Sequence, residues 1–151
     1  VACPDGSVFY ARGWDGKNDS YCYDYMNDET IRLENGTTDG FWNGRAQSCD
    51  GWHAWVSTVG GNLYEIDTRK REIVRRGRWP GNTQLLCMSL SLDEKKLYTM
   101  PSQGDNARTL VEYDIESGTY TTFNTVKGYG RHITGNNARD SKGRIYFAGS
   151  K

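Results

Sequence analysis

One pattern recurs along the 151 residues and restricts the fold more than any other feature. A polar turn carrying Asp feeds a short apolar strand. Asp5 precedes Val8-Phe9-Tyr10, Asp50 precedes His53-Ala54-Trp55-Val56, Asp93 precedes Leu97-Tyr98 and Asp140 precedes Ile145-Tyr146-Phe147, at spacings of 45, 43 and 47 residues. A second anchor keeps the same register. The segments "YCYDY", "LYEID" and "LVEYD" place Asp24, Asp67 and Asp114 at spacings of 43 and 47 residues. Ile31, Ile73 and Tyr120 then open the segments "IRL", "IVRR" and "YTTF". Three anchors on one period define a repeating unit rather than an isolated hairpin.

Each unit reads as up to four short antiparallel strands joined by polar turns. The first strand precedes the turn Asp, the second follows it, the third ends in the second Asp and the fourth closes the unit. "LVEYDI" alternates apolar and polar residues, as a strand with one buried face does. "RKREIVRR" is the best helical candidate, yet the register assigns it to a turn and a strand. Four-stranded units with a period in the forties are the mark of a β-propeller. The expected fold is all-β, a partial β-propeller of about three and a half four-stranded blades. Blade 1 covers about 1–38, blade 2 about 43–78, blade 3 about 83–125 and a half blade 4 about 131–151. Closed propellers use about 4–8 blades, so the favoured explanation is a piece of a longer propeller chain. Several chains sharing one ring, or a packing other than a ring, are the alternatives. Each predicts open strand edges and a tendency to associate.

Composition narrows the function classes. Lys plus Arg and Asp plus Glu both number 19, which argues against a nucleic-acid partner. The basic stretch at residues 68–78 fits a solvated outer strand. Mean hydropathy is −0.79 and no long apolar run occurs, so no membrane span is expected. Ten Tyr, 5 Trp and 4 Phe argue against disorder, and 18 Gly suit many tight turns.

The chain begins at Val1 without an initiator Met, which fits either removal of an export signal or excision from a longer chain. Cys3, Cys22, Cys49 and Cys87 match no zinc spacing but permit two disulfides, in any of three connectivities. Asn18 and Asn35 open acceptor sequons. Together these suggest an exported, extracellular or periplasmic, disulfide-bonded glycoprotein.

"LSLDEKKLYTM" followed by "LVEYDIESGTYTTF" resembles blades of six- and seven-bladed propellers. "GRHITGNNARDSKGRIYFAG" resembles the blade entry of the gluconolactonase/regucalcin-like, NHL-repeat and streptogramin-lyase group. In gluconolactonase-like members, oxygen ligands near the channel hold a divalent cation such as Ca. The resemblance gives that role to Asn136 and Asn137. In streptogramin-lyase-like members a His at the blade entry acts as acid or base, and His132 occupies a comparable place. Arg131 lies beside it as a binding candidate.

Two further stretches carry site-type residues. "CDGWHAW" supplies Trp52, His53 and Trp55, which suit stacking on a sugar ring or filling space between blades. "GWDGKND" carries Trp14, Asp15, Asn18 and Asp19, whose oxygens suit calcium but lack the length and Glu of an EF-hand loop. The sequence has no nucleophile elbow, P-loop or dinucleotide fingerprint. The expected function is therefore a noncatalytic binding or assembly module. Its partners would be a glycan, a protein surface, copies of itself or the rest of a longer propeller. The alternative is a metal-dependent lactonase-like hydrolase or a lyase with its remaining site residues on blades absent from this chain.

Overall fold

The computed structural model describes residues 1–12, 19–34, 42–80, 87–101, 107–125, 133–136 and 138–149. All regular structure among them is β. Unit 1 is a three-stranded antiparallel sheet of β1 (Val8–Arg12), β2 (Asp19–Asp24) and β3 (Glu29–Arg32). Ala2 bridges Val8 at its inner edge, where a first strand would lie. Unit 2 is a full four-stranded sheet of β4 (Trp42–Gln47), β5 (His53–Thr58), β6 (Asn62–Asp67) and β7 (Glu72–Arg78). Unit 3 repeats this with β8 (Cys87–Leu90), β9 (Lys96–Thr99), β10 (Thr109–Asp114) and β11 (Tyr120–Thr125). Unit 4 contributes β12 (Ile133–Asn136) and β13 (Ala148–Gly149). Its β12 pairs in parallel with β8, Gly135 opposite Cys87 and Asn136 opposite Met88. The inner strands of neighbouring units thus meet side by side, and the chain is a partial β-propeller. "RKREIVRR" is the turn and strand that the register requires.

The turn aspartates work as local caps. Asp24 Oδ1 accepts the amides of Met26 and Asn27, Asp67 Oδ1 those of Arg69 and Lys70, and Asp114 Oδ1 that of Ser117. Each cap precedes a left-handed residue four positions later: Asp28, Arg71 and Gly118, at φ of 52°, 58° and 69°. These short side chains bond the backbone just ahead of them, so the turn closes without any distant partner.

The turn between first and second strands also repeats, with one difference from the sequence pattern. Cys3, Ser48, Ser91 and Asp140 each open it by accepting the amide of the residue three further on, which lies at positive φ. Asp50 and Asp93 occupy the third turn position and accept from Ser48 and Ser91 hydroxyls at 2.6 Å. Asp140 instead occupies the first position, where it accepts the amides of Lys142 and Arg144. Gly51 sits at the positive-φ place, and a Cβ there would meet Pro4 of unit 1 at 2.9 Å. Glu94 occupies the same place in unit 3 and accepts the Cys49 amide of unit 2 at 2.6 Å.

Two larger cores join units 1 to 3, and a smaller one of Cys87, Met100 and Phe147 joins units 3 and 4. Phe9, Cys22 and Leu33 of unit 1 pack on Ala54, Val56, Tyr64, Ile66 and Ile73 of unit 2. Trp55, Leu63 and Trp79 of unit 2 pack on Leu97, Val111 and Tyr113 of unit 3. Each sheet therefore buries both faces only where it has a neighbour on each side. Apolar burial of this kind contributes about 25 cal/mol per Å², so each interface between units adds to the stability of the sheets it joins.

The cysteines correct an expectation. All four are free thiols. Cys3 and Cys22 fill the first core, Cys87 packs beside Met100 and Phe147, and Cys49 is exposed on a turn. Three of them serve as small apolar packing groups, a common role for a buried thiol.

Candidate functional site

The candidate residues of "CDGWHAW" separate in space. Trp52 lies in the turn that opens β5, its amide donating to Asp50 Oδ1 at 3.0 Å. Its carbonyl accepts the Thr68 amide and hydroxyl at 3.0 and 2.8 Å. The indole packs on the first core, and the Arg69 guanidinium covers the ring at 4.8 Å. His53 begins β5 and pairs through Nδ1 with Glu65 Oε1 at 3.5 Å, while Arg76 Nε donates to Glu65 Oε2 at 2.6 Å. Trp55 is core, 5 % exposed, between units 2 and 3.

Unit 3 builds the matching patch with different residues. Glu112 takes the place of Glu65 and accepts Lys96 Nζ and the Tyr98 hydroxyl, each at 2.7 Å. Burial, and then the bond to Glu112, push the Tyr98 phenol up to about 12. Burial works against the Glu112 carboxylate, but bonds from Lys96 and Tyr98 outweigh it and hold the group below its ordinary value. Both patches are saturated ion-pair and hydrogen-bond clusters rather than a nucleophile with a base.

Of the channel-mouth candidates, Asn136 lies on β12, the inner strand of unit 4. Arg131, His132 and Asn137 lie outside the described residues, as do Trp14, Asp15, Asn18 and Asn35. Asp19 is described, and its carboxylate pairs with Arg32 at 2.8 Å. Among the described residues no group of three His, Cys, Asp or Glu side chains converges.

A concavity lies elsewhere among the described residues. A cleft of about 780 Å³ opens between units 3 and 4. Tyr98, Met100, Leu110, Thr122 and Phe123 form its unit 3 wall, and Ile145 and Phe147 its unit 4 wall. Phe123 is 46 % exposed there. At the other end of the chain, Tyr10 and Tyr21 of unit 1 stack with centroids 5.5 Å apart, and Val8 and Tyr10 are 37 % and 38 % exposed. The sequence reading placed Val8, Tyr10, Tyr98, Ile145 and Phe147 on strands of the repeat but named none of these residues as a site candidate. The signal was present in the register: Tyr98 and Leu110 repeat Trp55 and Leu63, residues that face a following unit.

No protein-family model matches the chain, and no curated protein matches it. Solved structures do. A structural genomics protein of unknown function from Bacteroides thetaiotaomicron VPI-5482 superposes with a TM-score of 0.69 at 12 % identity, over 86 % of this chain and 32 % of that one. The tricorn protease matches with a TM-score of 0.53 at 14 % identity, over 85 % of this chain and 12 % of that one. A chain of the nidogen/laminin complex matches with a TM-score of 0.59 at 10 % identity, over 85 % and 47 %. The chain thus spans less than half the length of each. At these identities the likeness shows the propeller-type repeat fold, and fold does not select an activity.

Proposed function

We propose that this chain is a noncatalytic protein-recognition module of an exported β-propeller protein. The observation that carries the reading is the set of large apolar and aromatic side chains held at the surface, Val8 and Tyr10 on unit 1 and Phe123 in the cleft between units 3 and 4. Tyr and other aromatic side chains supply much of the binding energy at protein interfaces. One of the structural neighbours comes from a complex of nidogen with laminin, which supports protein recognition on such a scaffold. A glycan is disfavoured as the ligand. The Trp52 ring, the best stacking surface from the sequence, is sandwiched between Arg69 and the core.

Export is part of this reading and rests on the sequons at Asn18 and Asn35. The test is an array that displays extracellular proteins and glycans side by side, probed with the purified chain. Saturable binding to a protein spot, lost in Tyr10→Glu or Phe123→Glu, is expected. Saturable binding to glycans alone, unaffected by those substitutions, overturns it.

A further inference from the structure

Residues 68–78 hold six cations, Arg69, Lys70, Arg71, Arg75, Arg76 and Arg78, against Glu72 alone. The formal net charge of the chain is zero, so its other residues are acidic on balance. Arg75, Arg76 and Arg78 lie on β7, the outer strand of unit 2. Unit 2 has all four strands and packs on a unit at each side, so the position of β7 at the rim does not depend on where the sequence starts or stops. No strand pairs with its outer edge among the described residues. An edge strand turns alternate amides and carbonyls outward, where an extended segment can pair with them.

Half of the six cations are neutralised within the fold. Lys70 pairs with Asp67 at 3.3 Å, Arg71 with Asp24 and Arg76 with Glu65. Arg69 and Arg75 meet no carboxylate among the described residues. Arg69 lies over the Trp52 ring, and Arg75 donates to the neutral Asn62 amide oxygen at 2.7 Å. Edge protection accounts for an isolated charge on an outer strand. It does not account for this concentration, because β11, the outer strand of unit 3, is largely exposed and carries no charge at all. The residue type is informative as well. The guanidinium fork meets a carboxylate through two parallel bonds, which an ammonium group cannot do. Val74, 45 % exposed beside Arg75, adds an apolar contact on the same strand.

We propose that β7 is a docking edge for an acidic, extended protein segment. The segment adds as a fifth strand of unit 2 and sets its carboxylates against Arg75 and its neighbours. Charge complementarity selects this occupant. A second copy of β7 is disfavoured, because two such edges bring like charges together. The edge is separate from Val8, Tyr10 and Phe123, the side chains that carry the recognition reading.

The experiment measures the fluorescence anisotropy of a labelled peptide of alternating Glu and Val against the wild type, Arg75→Glu, Arg75→Gln and Tyr10→Glu. The control is a peptide of equal charge with Pro in place of Val, which cannot supply the amides of a strand. Unchanged melting temperatures confirm that the variants fold. Arg75→Gln keeps a donor for Asn62 and stands in if charge reversal unfolds the sheet. Saturable binding at about 100 micromolar is expected, weakened at least about tenfold in Arg75→Glu and about threefold in Arg75→Gln. Tyr10→Glu should bind the peptide as the wild type does, and the proline peptide at least about tenfold more weakly. Absence of saturable binding, equal binding of both peptides, or binding indifferent to Arg75 overturns the proposal. So does a sulfated polysaccharide or a DNA duplex that binds through Arg75 more tightly than the peptide, since the edge would then serve a polyanion rather than a strand. Failure here, with array binding still lost in Tyr10→Glu or Phe123→Glu, would overturn the β7 edge alone and leave the recognition reading standing.

Discussion

Arg139 of unit 4 donates from Nη1 to the carbonyl oxygen of Leu90 at 2.9 Å, and the two residues hold the same place in successive units. Each sits one position before the turn that opens on Asp140 and on Ser91. The same guanidinium bonds the Ser91 carbonyl. Unit 2 uses Gln47 in this way, Nε2 donating to the Ala2 carbonyl of unit 1 at 2.8 Å. Carbonyls at the mouth of the unit 1 and unit 3 turns are thus satisfied by the unit that follows. Arg139→Ala should raise amide exchange in residues 133–149 by roughly tenfold, the effect of losing one charged hydrogen bond. Exchange in residues 53–78 should stay unchanged. Hydrogen–deuterium exchange with mass spectrometry reads both, and an unchanged unit 4 would remove Arg139 from that role.

The repeated turn caps predict a pH dependence. Asp114 is held below the ordinary carboxylate value by the Ser117 amide first and then the Ser117 hydroxyl. Asp24 is lowered by the Asn27 side chain first and then by Arg71 of unit 2, which pairs with it across the units. A carboxylate with a depressed folded pKa stabilises the fold above its unfolded value, and that contribution is lost as pH falls through the folded value. The melting temperature should therefore be level near neutrality and fall below about pH 4. Asp114→Ala should lower it by about 2–4 °C at neutral pH and flatten the acid slope. A variant that melts with the wild type at pH 7 would show that Asp114 caps nothing.

Tyr120 packs in an aromatic cluster with Trp79 and Tyr113, at centroid distances of 5.4 and 4.8 Å. Its hydroxyl is buried and finds no hydrogen-bond partner among the described residues. Burial raises its phenol well above the ordinary value. Removing an unpaired buried hydroxyl while keeping the ring should be neutral or stabilising, by up to about 1 kcal/mol for Tyr120→Phe. Trp79→Ala at the same interface should cost about 3–5 kcal/mol, because it empties the centre of the second core. Denaturant titration separates the two. A clear loss of stability in Tyr120→Phe would mean the hydroxyl has a partner after all.

Cys49 is the exposed thiol of the four. The hydrogen bond to Glu94, and then burial, raise its pKa, while Arg139 opposes them. A thiol-specific chromogenic reagent should therefore titrate one group in the native protein and four after denaturation. The native rate should climb with pH beyond the ordinary thiol range. Glu94→Gln should speed the reaction at a fixed mildly alkaline pH, because it removes the charge that disfavours the thiolate. Fewer than four thiols in the denatured, unreduced protein would restore the disulfide expectation and strengthen the case for export.

The repeat itself was written in the sequence. Asp24, Asp67 and Asp114 each close a turn through bonds to the next few amides, a local interaction that leaves a local trace at a fixed interval. Alternation within strands such as "LVEYD" told which side chains face inward for the same reason. Other features needed the chain to come together. Asp140 reads like Asp93 in the sequence yet takes the place of Ser91, because the backbone closure of the turn, not residue type, sets the register. The cysteines had suitable number but were distributed by packing. Trp52 and Trp55 look alike in "CDGWHAW", and only the neighbour across each sheet face decided that Arg69 covers one and unit 3 buries the other. Which faces stay open is likewise a property of the assembled units, since a face is buried or exposed only by what lies against it.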